Sequence, residues 1–283
     1  MDDRLVFRGL DDTNWSAVTS CGHMDAGDRL DAESRGRYIE KESANGLVLV
    51  VAHSRVDYRP LGFVELVPIE TAARDVTGEG AMFLHCILVL EGGAGIGRAL
   101  LGECERLAQA SSRGLVVDGC HDVYGFMPAS YFARQGFVVA ESRGSRRLMY
   151  KNPAGAGKPG MPVPRYLEPS YRIDPPQGAP PGVVVVDVFH TPLCTGHRSP
   201  EFEVMRQAAA RYGERVTVRS WDAGDPEIRR RYGIARAIFV NGAMRPNGDT
   251  IKIEEASRLL DTAFQRGTPI DPPSWDDSIS RLF

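Results

Sequence analysis

An apolar strand that runs straight into a glycine turn and then a helix, Phe83-Leu-His-Cys-Ile-Leu-Val-Leu-Glu-Gly-Gly-Ala-Gly-Ile-Gly-Arg-Ala-Leu-Leu101, limits what this chain can fold into more than any other stretch. The first backbone N–H groups of a helix have no partner within it, so those of Gly93 to Arg98 would converge at the turn, where the helix dipole also favours negative charge. That is the layout of a pyrophosphate cradle. Gly95 and Gly97 carry no Cβ and let the backbone come close to a ligand. The spacing Gly92-x-x-Gly95-x-Gly97 fits neither G-x-G-x-x-G nor G-x-x-x-x-G-K-[ST], which argues against a dinucleotide or ATP.

The elements around this segment follow from residue pattern. Arg4 to Gly9 reads as a strand, Asp11 to Ser20 as a helix, and Leu47 to His53 with Gly62 to Pro68 as a strand pair. The Phe83 strand leads to a helix ending near Gln109. A strand from Gly114 to Gly119, a short helix from Ala129 to Gln135 and a last strand near Arg147 to Lys151 follow.

This order, with its glycine turn after the fourth strand, resembles the GNAT superfamily of acyl-CoA transferases, whose signature is Q/R-x-x-G-x-G/A. Gly92 stands where that family has Gln or Arg, which removes one side chain from the phosphate site and leaves the backbone donors. The resemblance covers residues 1–151. It implies an α/β fold of the α+β kind with a mixed sheet whose fourth and fifth strands splay apart. It also implies acetyl-CoA, or another acyl-CoA, as cofactor. Ile87, Leu88, Val89 and Leu90 are then expected to pair with pantetheine, and Gly92, Gly93, Ala94, Gly95, Ile96, Gly97 and Arg98 to surround the pyrophosphate. The Val89 N–H is the expected oxyanion donor.

Acetyl transfer to an amine requires a base for the ammonium, donors for the tetrahedral oxyanion and a proton for the leaving thiolate. Glu65, on the neighbouring strand, is the expected general base, directly or through water; a solvated or salt-bridged strand carboxylate is the alternative. Phe132 occupies the position, four residues before Gly136-Phe137, where the family has a tyrosine acid. Tyr131 is adjacent and becomes the candidate acid, although one residue along a helix turns a side chain by about 100 degrees. In this fold the region after the first helix covers the acceptor site, so Tyr38 and Glu40 are of interest there.

Four of the five cysteines have a histidine within three positions: Cys21/His23, His85/Cys86, Cys120/His121 and Cys194/His197, in a chain with six histidines. His85-Cys86 lies on the fourth strand and Cys120-His121 at the end of the fifth, so both pairs approach the splay. Such groups can bind zinc or copper or supply a nucleophilic cysteine, which adds His85 and Cys86 to the catalytic candidates. Successive strand residues face opposite sides, so only one of these two reaches the groove unless a bulge intervenes. No segment has the C-x-x-C or H-E-x-x-H spacing of a strong metal motif. Buried core residues are therefore the favoured reading, and a metal held among Cys21, His23, His85, Cys86, Cys120 and His121 the less favoured one. Cys104, inside the helix after the turn, reads as core.

At 283 residues the chain exceeds one typical core, and 34 basic against 37 acidic residues leave no footprint for nucleic acid or an anionic membrane. Widely spread cysteines and the lack of a signal peptide or long apolar run point to a cytoplasmic protein. Residues 152–182, with Pro162-Val-Pro164, Pro175-Pro176 and Pro180-Pro181-Gly182, read as an extended linker or strap, and residues 268–283 as a similar tail.

Between them, residues 183–267 alternate strand and helix: Val183 to Val188, Pro200 to Tyr212, Arg215 to Trp221, Pro226 to Tyr232, Ala237 to Val240, and Ile253 to Phe264. Asn241-Gly242 suits a hairpin after the third strand. This order resembles a small thioredoxin-like domain, but Cys194 faces His197 where a second cysteine would stand, which argues against a dithiol cycle. Packing, substrate capture or dimerisation is the expected role. Arg229-Arg-Arg231 reads as a surface charge run, and Asp222 and Asp225 as caps and turns.

The whole arrangement is similar to the YoaP-type acetyltransferases of bacteria. Gly62-Phe-Val-Glu65-Leu-Val-Pro68, Ala72-Ala-Arg74 and Met82-Phe-Leu-His85-Cys86 match G-[FY]-I-E-x-x-P, W-R and M-x-I-H-C, with Ala73 replacing an aromatic residue and Leu88 a tryptophan. The expected activity is acetyl-CoA-dependent N-acetylation of a small-molecule amine by direct transfer, with a homodimer left open. The alternatives are a metal- or thiol-dependent enzyme on the same scaffold and a non-catalytic acyl-CoA-binding protein.

Overall fold

The computed structural model describes residues 4–20, 29–91, 95–111, 114–120, 127–143, 146–152, 162–169, 182–190, 201–244 and 251–266. The chain divides into two units, the first Met1–Ala72 with Val76–Tyr166 and the second Ala73–Asp75 with Leu167–Phe283. Among the described residues no helix is long and apolar enough to cross a membrane.

The first unit contains strands β1 (Leu5–Arg8), β2 (Val48–Ser54), β3 (Pro60–Pro68), β4 (Val76–Thr77), β5 (Met82–Val89), β6 (Leu115–Cys120), β7 (Val138–Arg143), β8 (Arg146–Lys151) and β9 (Arg165–Tyr166). Its helices are α1 (Trp15–Thr19), α2 (Arg29–Ser43), α3 (Ile96–Ser111) and α4 (Ala129–Arg134). Seven strands form a mixed sheet in the order β1-β2-β3-β5-β6-β8-β7. β5 and β6 run parallel, so a crossover must join them, and α3 supplies it. Leu100, Leu101, Cys104 and Ala108 of α3 recur at three- and four-residue spacing and bury against Val64, Leu66, Leu84 and Val117 of the sheet.

The β5–β6 ladder is short. It holds Met82 to Leu115, Phe83 to Val116 and Leu84 to Val117, after which β5 continues beside β3 and β6 beside β8. The two strands thus part at His85 and Asp118, as the GNAT resemblance implies.

Three departures from the sequence expectation have local causes. The first helix starts at Trp15 rather than Asp11, because the Asp11 carboxylate accepts from the Thr13 N–H at 2.9 Å and the Asn14 side-chain carbonyl accepts from the Asp11 N–H at 3.0 Å. Those bonds turn residues 11–14 into a side-chain-bonded loop. The polar segment after residue 20 contains α2, whose buried positions Arg35, Tyr38, Ile39 and Glu42 follow helical spacing, with Glu40 on the exposed side. Two of those four are charged, which hides the periodicity from a hydrophobic reading. Residues Arg165 and Tyr166, within the proline-rich stretch, pair with Val76 and Thr77 as a two-stranded ladder. Tyr166 is buried, its hydroxyl donating to Asp118 at 2.6 Å and its ring centre 4.7 and 4.6 Å from the guanidinium carbons of Arg143 and Arg146.

The second unit contains β10 (Val184–His190), α5 (Glu201–Ala209), β11 (Val216–Asp222), α6 (Pro226–Tyr232), β12 (Ala237–Val240), β13 (Ala243–Met244) and α7 (Ile253–Arg266). Its sheet order is β11-β10-β12-β13, with β10 parallel to β11 and antiparallel to β12. Asn241 and Gly242, both at positive φ (45° and 92°), make the tight hairpin turn between β12 and β13. The predicted helix to Tyr212 ends at Ala209 and continues as a 3-10 turn that Gly213, at φ 58°, breaks. Asp225 caps α6 by accepting from the Glu227 N–H at 2.8 Å, and Asp222 accepts from the Gly224 N–H at 2.7 Å. Arg229 corrects the surface reading of its run: it is buried and donates to the Ala223 carbonyl.

Candidate functional site

The strand pair β3–β5 carries the candidate site. Glu65 is opposite Cys86, yet the next residue of β3, Leu66, is opposite Leu84, so His85 is an extra residue on β5. Met82, Leu84, Ile87 and Val89 all belong to the core beneath α3, a change of parity that only a bulge permits. Both His85 and Cys86 are thereby left for the opposite face. The condition under which the two neighbours could share a side is met.

On that face Arg35 of α2 reaches down to β3. Its Nη2 donates to Glu65 Oε2 at 2.6 Å, its Nε donates to the Val18 carbonyl at 3.1 Å, and its guanidinium carbon lies 5.8 Å from the Phe63 ring centre. The other oxygen of Glu65 meets His85 Nδ1 at 3.2 Å. Arg35, Glu65 and His85 are 1%, 0% and 4% exposed. Burial by itself would raise the Glu65 pKa, but the Arg35 charge, with His85, outweighs it and holds the carboxyl at about 2. Both oxygens of the Glu65 carboxylate are thus engaged, which is the salt-bridged alternative to a general base.

The pairing has a consequence for stability. A carboxylate whose pKa falls on folding stabilises the fold above its unfolded value and ceases to as pH drops through its folded one. Glu65 accordingly contributes fully above its ordinary 4.5, and that contribution is lost as pH falls toward about 2. Urea unfolding between these limits should show wild type losing stability more steeply than Glu65→Gln, which is already weakened at neutral pH. Parallel curves would refute it.

The open edge of β5 is selective. Leu90 N–H donates to the Leu61 carbonyl of the β3 side at 2.9 Å. Backbone groups of alternate residues point to opposite edges, so Leu88 and Leu90 face β3 while Ile87 and Val89 face the gap toward β6. Of the four residues expected to pair with pantetheine, Ile87 and Val89 have that orientation; Leu88 and Leu90 do not.

At the far end of this edge, α3 opens with Ala99 N–H bonded to the Gly95 carbonyl at 3.0 Å, leaving the N–H groups of Ile96, Gly97 and Arg98 without acceptors inside the helix. Gly95 is at φ +76°. The Ile96 side chain is buried in the core and Arg98 is exposed. Gly92, Gly93 and Ala94 lie outside the described residues.

Tyr131 approaches the same place from α4. A Cβ on Gly97 would lie 3.3 Å from the Tyr131 hydroxyl and 3.5 Å from a Val89 methyl carbon. That hydroxyl is buried without a hydrogen-bond partner among the described residues, and burial raises its pKa. Phe132, by contrast, is fully buried between Tyr131 and Phe137, with ring centres 5.2 and 5.6 Å away. The one-residue shift thus aims the tyrosine at the helix start and the phenylalanine at the core.

Cys86 and Cys120 are half-buried and form no disulfide among the described residues, and Cys104 is fully buried, its pKa pushed up by burial. Cys21, His23, His121, Cys194 and His197 lie outside the described residues. Among the described residues no three of His, Cys, Asp and Glu gather as a metal-binding group, and His85 Nδ1 is committed to Glu65. Sequence reasoning missed Arg35; its signal was the pair of charged residues, Arg35 and Glu42, seven apart on α2.

No protein-family model matches the chain, and no curated protein matches it. Solved structures do. A protein from Desulfovibrio desulfuricans described as a GNAT-family acetyltransferase is 21% identical, with a TM-score of 0.40, over 53% of this chain and 99% of that one. A GNAT-family acetyltransferase from Brucella melitensis in complex with acetyl-CoA is 19% identical, TM-score 0.39, over 59% of this chain and 96% of that one. A Salmonella typhimurium protein described as an acetyltransferase, with its cofactor acetyl-CoA, is 15% identical, TM-score 0.42, over 55% and 97% respectively.

Proposed function

We propose that this chain is an acyltransferase that moves an acetyl group from acetyl-CoA to the amine of a small molecule by direct transfer. The observation that carries this reading is the opening of the β5–β6 ladder after Leu84 and Val117. The open edge offers backbone groups of Ile87 and Val89 to pantetheine and leads to the N-terminus of α3, whose first N–H groups, without acceptors inside the helix, and dipole suit a pyrophosphate. On this reading the Val89 N–H stabilises the oxyanion as the amine attacks the thioester carbonyl. Tyr131 then supplies a proton to the departing thiolate, a role supported by its buried, unpartnered hydroxyl beside Gly97 and Val89.

We further read the second unit as a thioredoxin-like domain, on its β-α-β-α-β-β-α order and the parallel pairing of β10 with β11, and the whole chain as YoaP-type, on the motif residues from Gly62 to Cys86. Its chemistry does not depend on Cys194 in this view.

Acetyl-CoA should raise the melting temperature of metal-free protein, and a panel of small amines should provoke CoA release. Binding without release on any amine would make the chain an acyl-CoA-binding protein instead. Tyr131→Phe should lower turnover by about 10- to 100-fold while leaving acetyl-CoA affinity within about threefold of wild type. Unchanged turnover in that variant would remove Tyr131 from the proton path.

A further inference from the structure

One buried histidine lies apart from the cluster around Glu65. His53, near the end of β2, is 1% exposed, and neither ring nitrogen has a hydrogen-bond partner among the described residues. A neutral imidazole carries one N–H donor and its charged form two, so burial without partners costs far more once the ring takes up a proton. The site favours the neutral ring.

Its surroundings follow from strand parity. Val50 and Ala52 of β2, with Leu5 of β1, pack beneath α3, so Val51 and His53 face the other side. There Val6 is directly opposite His53, and Arg8, opposite Val51, is a diagonal neighbour. β3 places Pro60 opposite the histidine and Phe63 opposite Val51, and its carboxylate on this face, Glu65, is engaged by Arg35. Arg8 and Asp11, the latter in the loop after β1, are the charged groups that act on the ring. Burial first, then Arg8, lowers its pKa below the ordinary 6.5, with Asp11 and the Val51 backbone opposing them.

The ring also marks a break in register. Ala52 pairs with Gly62 and His53 with Pro60, so Leu61 is an extra residue on β3, a bulge across from the histidine. The Leu61 carbonyl accepts from the Leu90 N–H at 2.9 Å, and on the side of β1 the Arg55 N–H donates to the Arg4 carbonyl at 2.9 Å. Two backbone bonds thus flank His53.

We propose that His53 is an acid-sensitive latch on this edge of the sheet: the neutral ring holds β1, β2 and the Leu61 bulge together, and its protonation is coupled to a local opening that breaks the Leu61–Leu90 and Arg4–Arg55 bonds. The latch is independent of the acyl-transfer reading. A histidine whose pKa is lower in the closed form adds no pH dependence above the unfolded value of 6.5; below it, the opened form binds a proton that the closed form does not. Opening then grows by about tenfold for each pH unit until the closed form is protonated as well.

Two measurements test the latch. Nitrogen-15 spectra of the wild-type histidine rings, with His53 assigned through its own backbone, should show a neutral ring in the folded chain at about pH 6. An imidazolium there overturns the proposal. Amide hydrogen exchange then follows the Arg55 and Leu90 N–H groups at about pH 7.5 and about 5.5, each rate divided by its intrinsic value. On acidification the protection of both should fall at least about threefold more in wild type than in His53→Leu or His53→Phe, each of which removes the titrating ring and keeps an apolar side chain. A smaller difference overturns the latch, and so does one seen at Arg55 but not at Leu90, which would detach the ring from the bulge.

Discussion

Replacing Gly97 with valine is expected to abolish measurable acetyl-CoA binding while the protein remains folded. The position a Cβ would take is 3.3 Å from the Tyr131 hydroxyl and 3.5 Å from Val89, so even a methyl group presses on the end of a tyrosine side chain. Valine adds two more carbons at the helix start, where the first N–H groups of α3 would meet phosphate oxygens. Tyr131 can shift to relieve the contact, which is why the fold should survive. The ligand cannot shift in the same way, because its phosphates must still reach the fixed N–H donors at the helix start. Titration calorimetry should show affinity falling by about 100-fold or more, roughly 3 kcal/mol, with urea unfolding changed much less. Gly95→Glu should act similarly through charge, and its φ of +76° adds backbone strain. Unchanged affinity in a folded Gly97→Val protein would leave the acyl-CoA reading without its phosphate site.

The parts of this arrangement that were readable in the sequence are those carried by local chemistry. Glycines at a helix start, an apolar run in β5 and Asn241-Gly242 at a hairpin each dictate backbone shape within a few residues. The edge strand β7 was missed because Val138 and Val139 are exposed and offer no alternation between a buried and a solvated face. The helix α2 was missed for the opposite reason: its buried face includes Arg35 and Glu42, residues that a hydrophobic pattern counts as solvent-facing. The site inherits the same limit. Glu65, His85 and Tyr131 stood out by type and spacing, but the role of Glu65 depends on Arg35, thirty residues away and on another element. The bulge that turns His85 and Cys86 to one face is likewise a property of how β5 pairs with β3, and neither strand states it alone.

Arg35→Met tests that dependence directly, because it keeps much of the side-chain volume and removes the charge. Glu65 would then be buried with His85 as its one remaining partner in this cluster, and breaking a buried pair from one side costs about 3 to 5 kcal/mol. Urea unfolding at neutral pH should show a loss of that order. The pH dependence supplies a second signature. In the wild type, burial opposes ionisation and the Arg35 charge overcomes it, bringing Glu65 to about 2. Without Arg35 the burial cost dominates, the folded pKa rises, and the gain in stability that the wild type shows between about pH 2 and its ordinary value of 4.5 should disappear. Adding Glu65→Leu to Arg35→Met should then recover much of the stability, since the unpaired charge is gone. A loss under about 1 kcal/mol in the single variant, or no recovery in the double one, would mean that Arg35 and Glu65 are not coupled as an ion pair sealed from water.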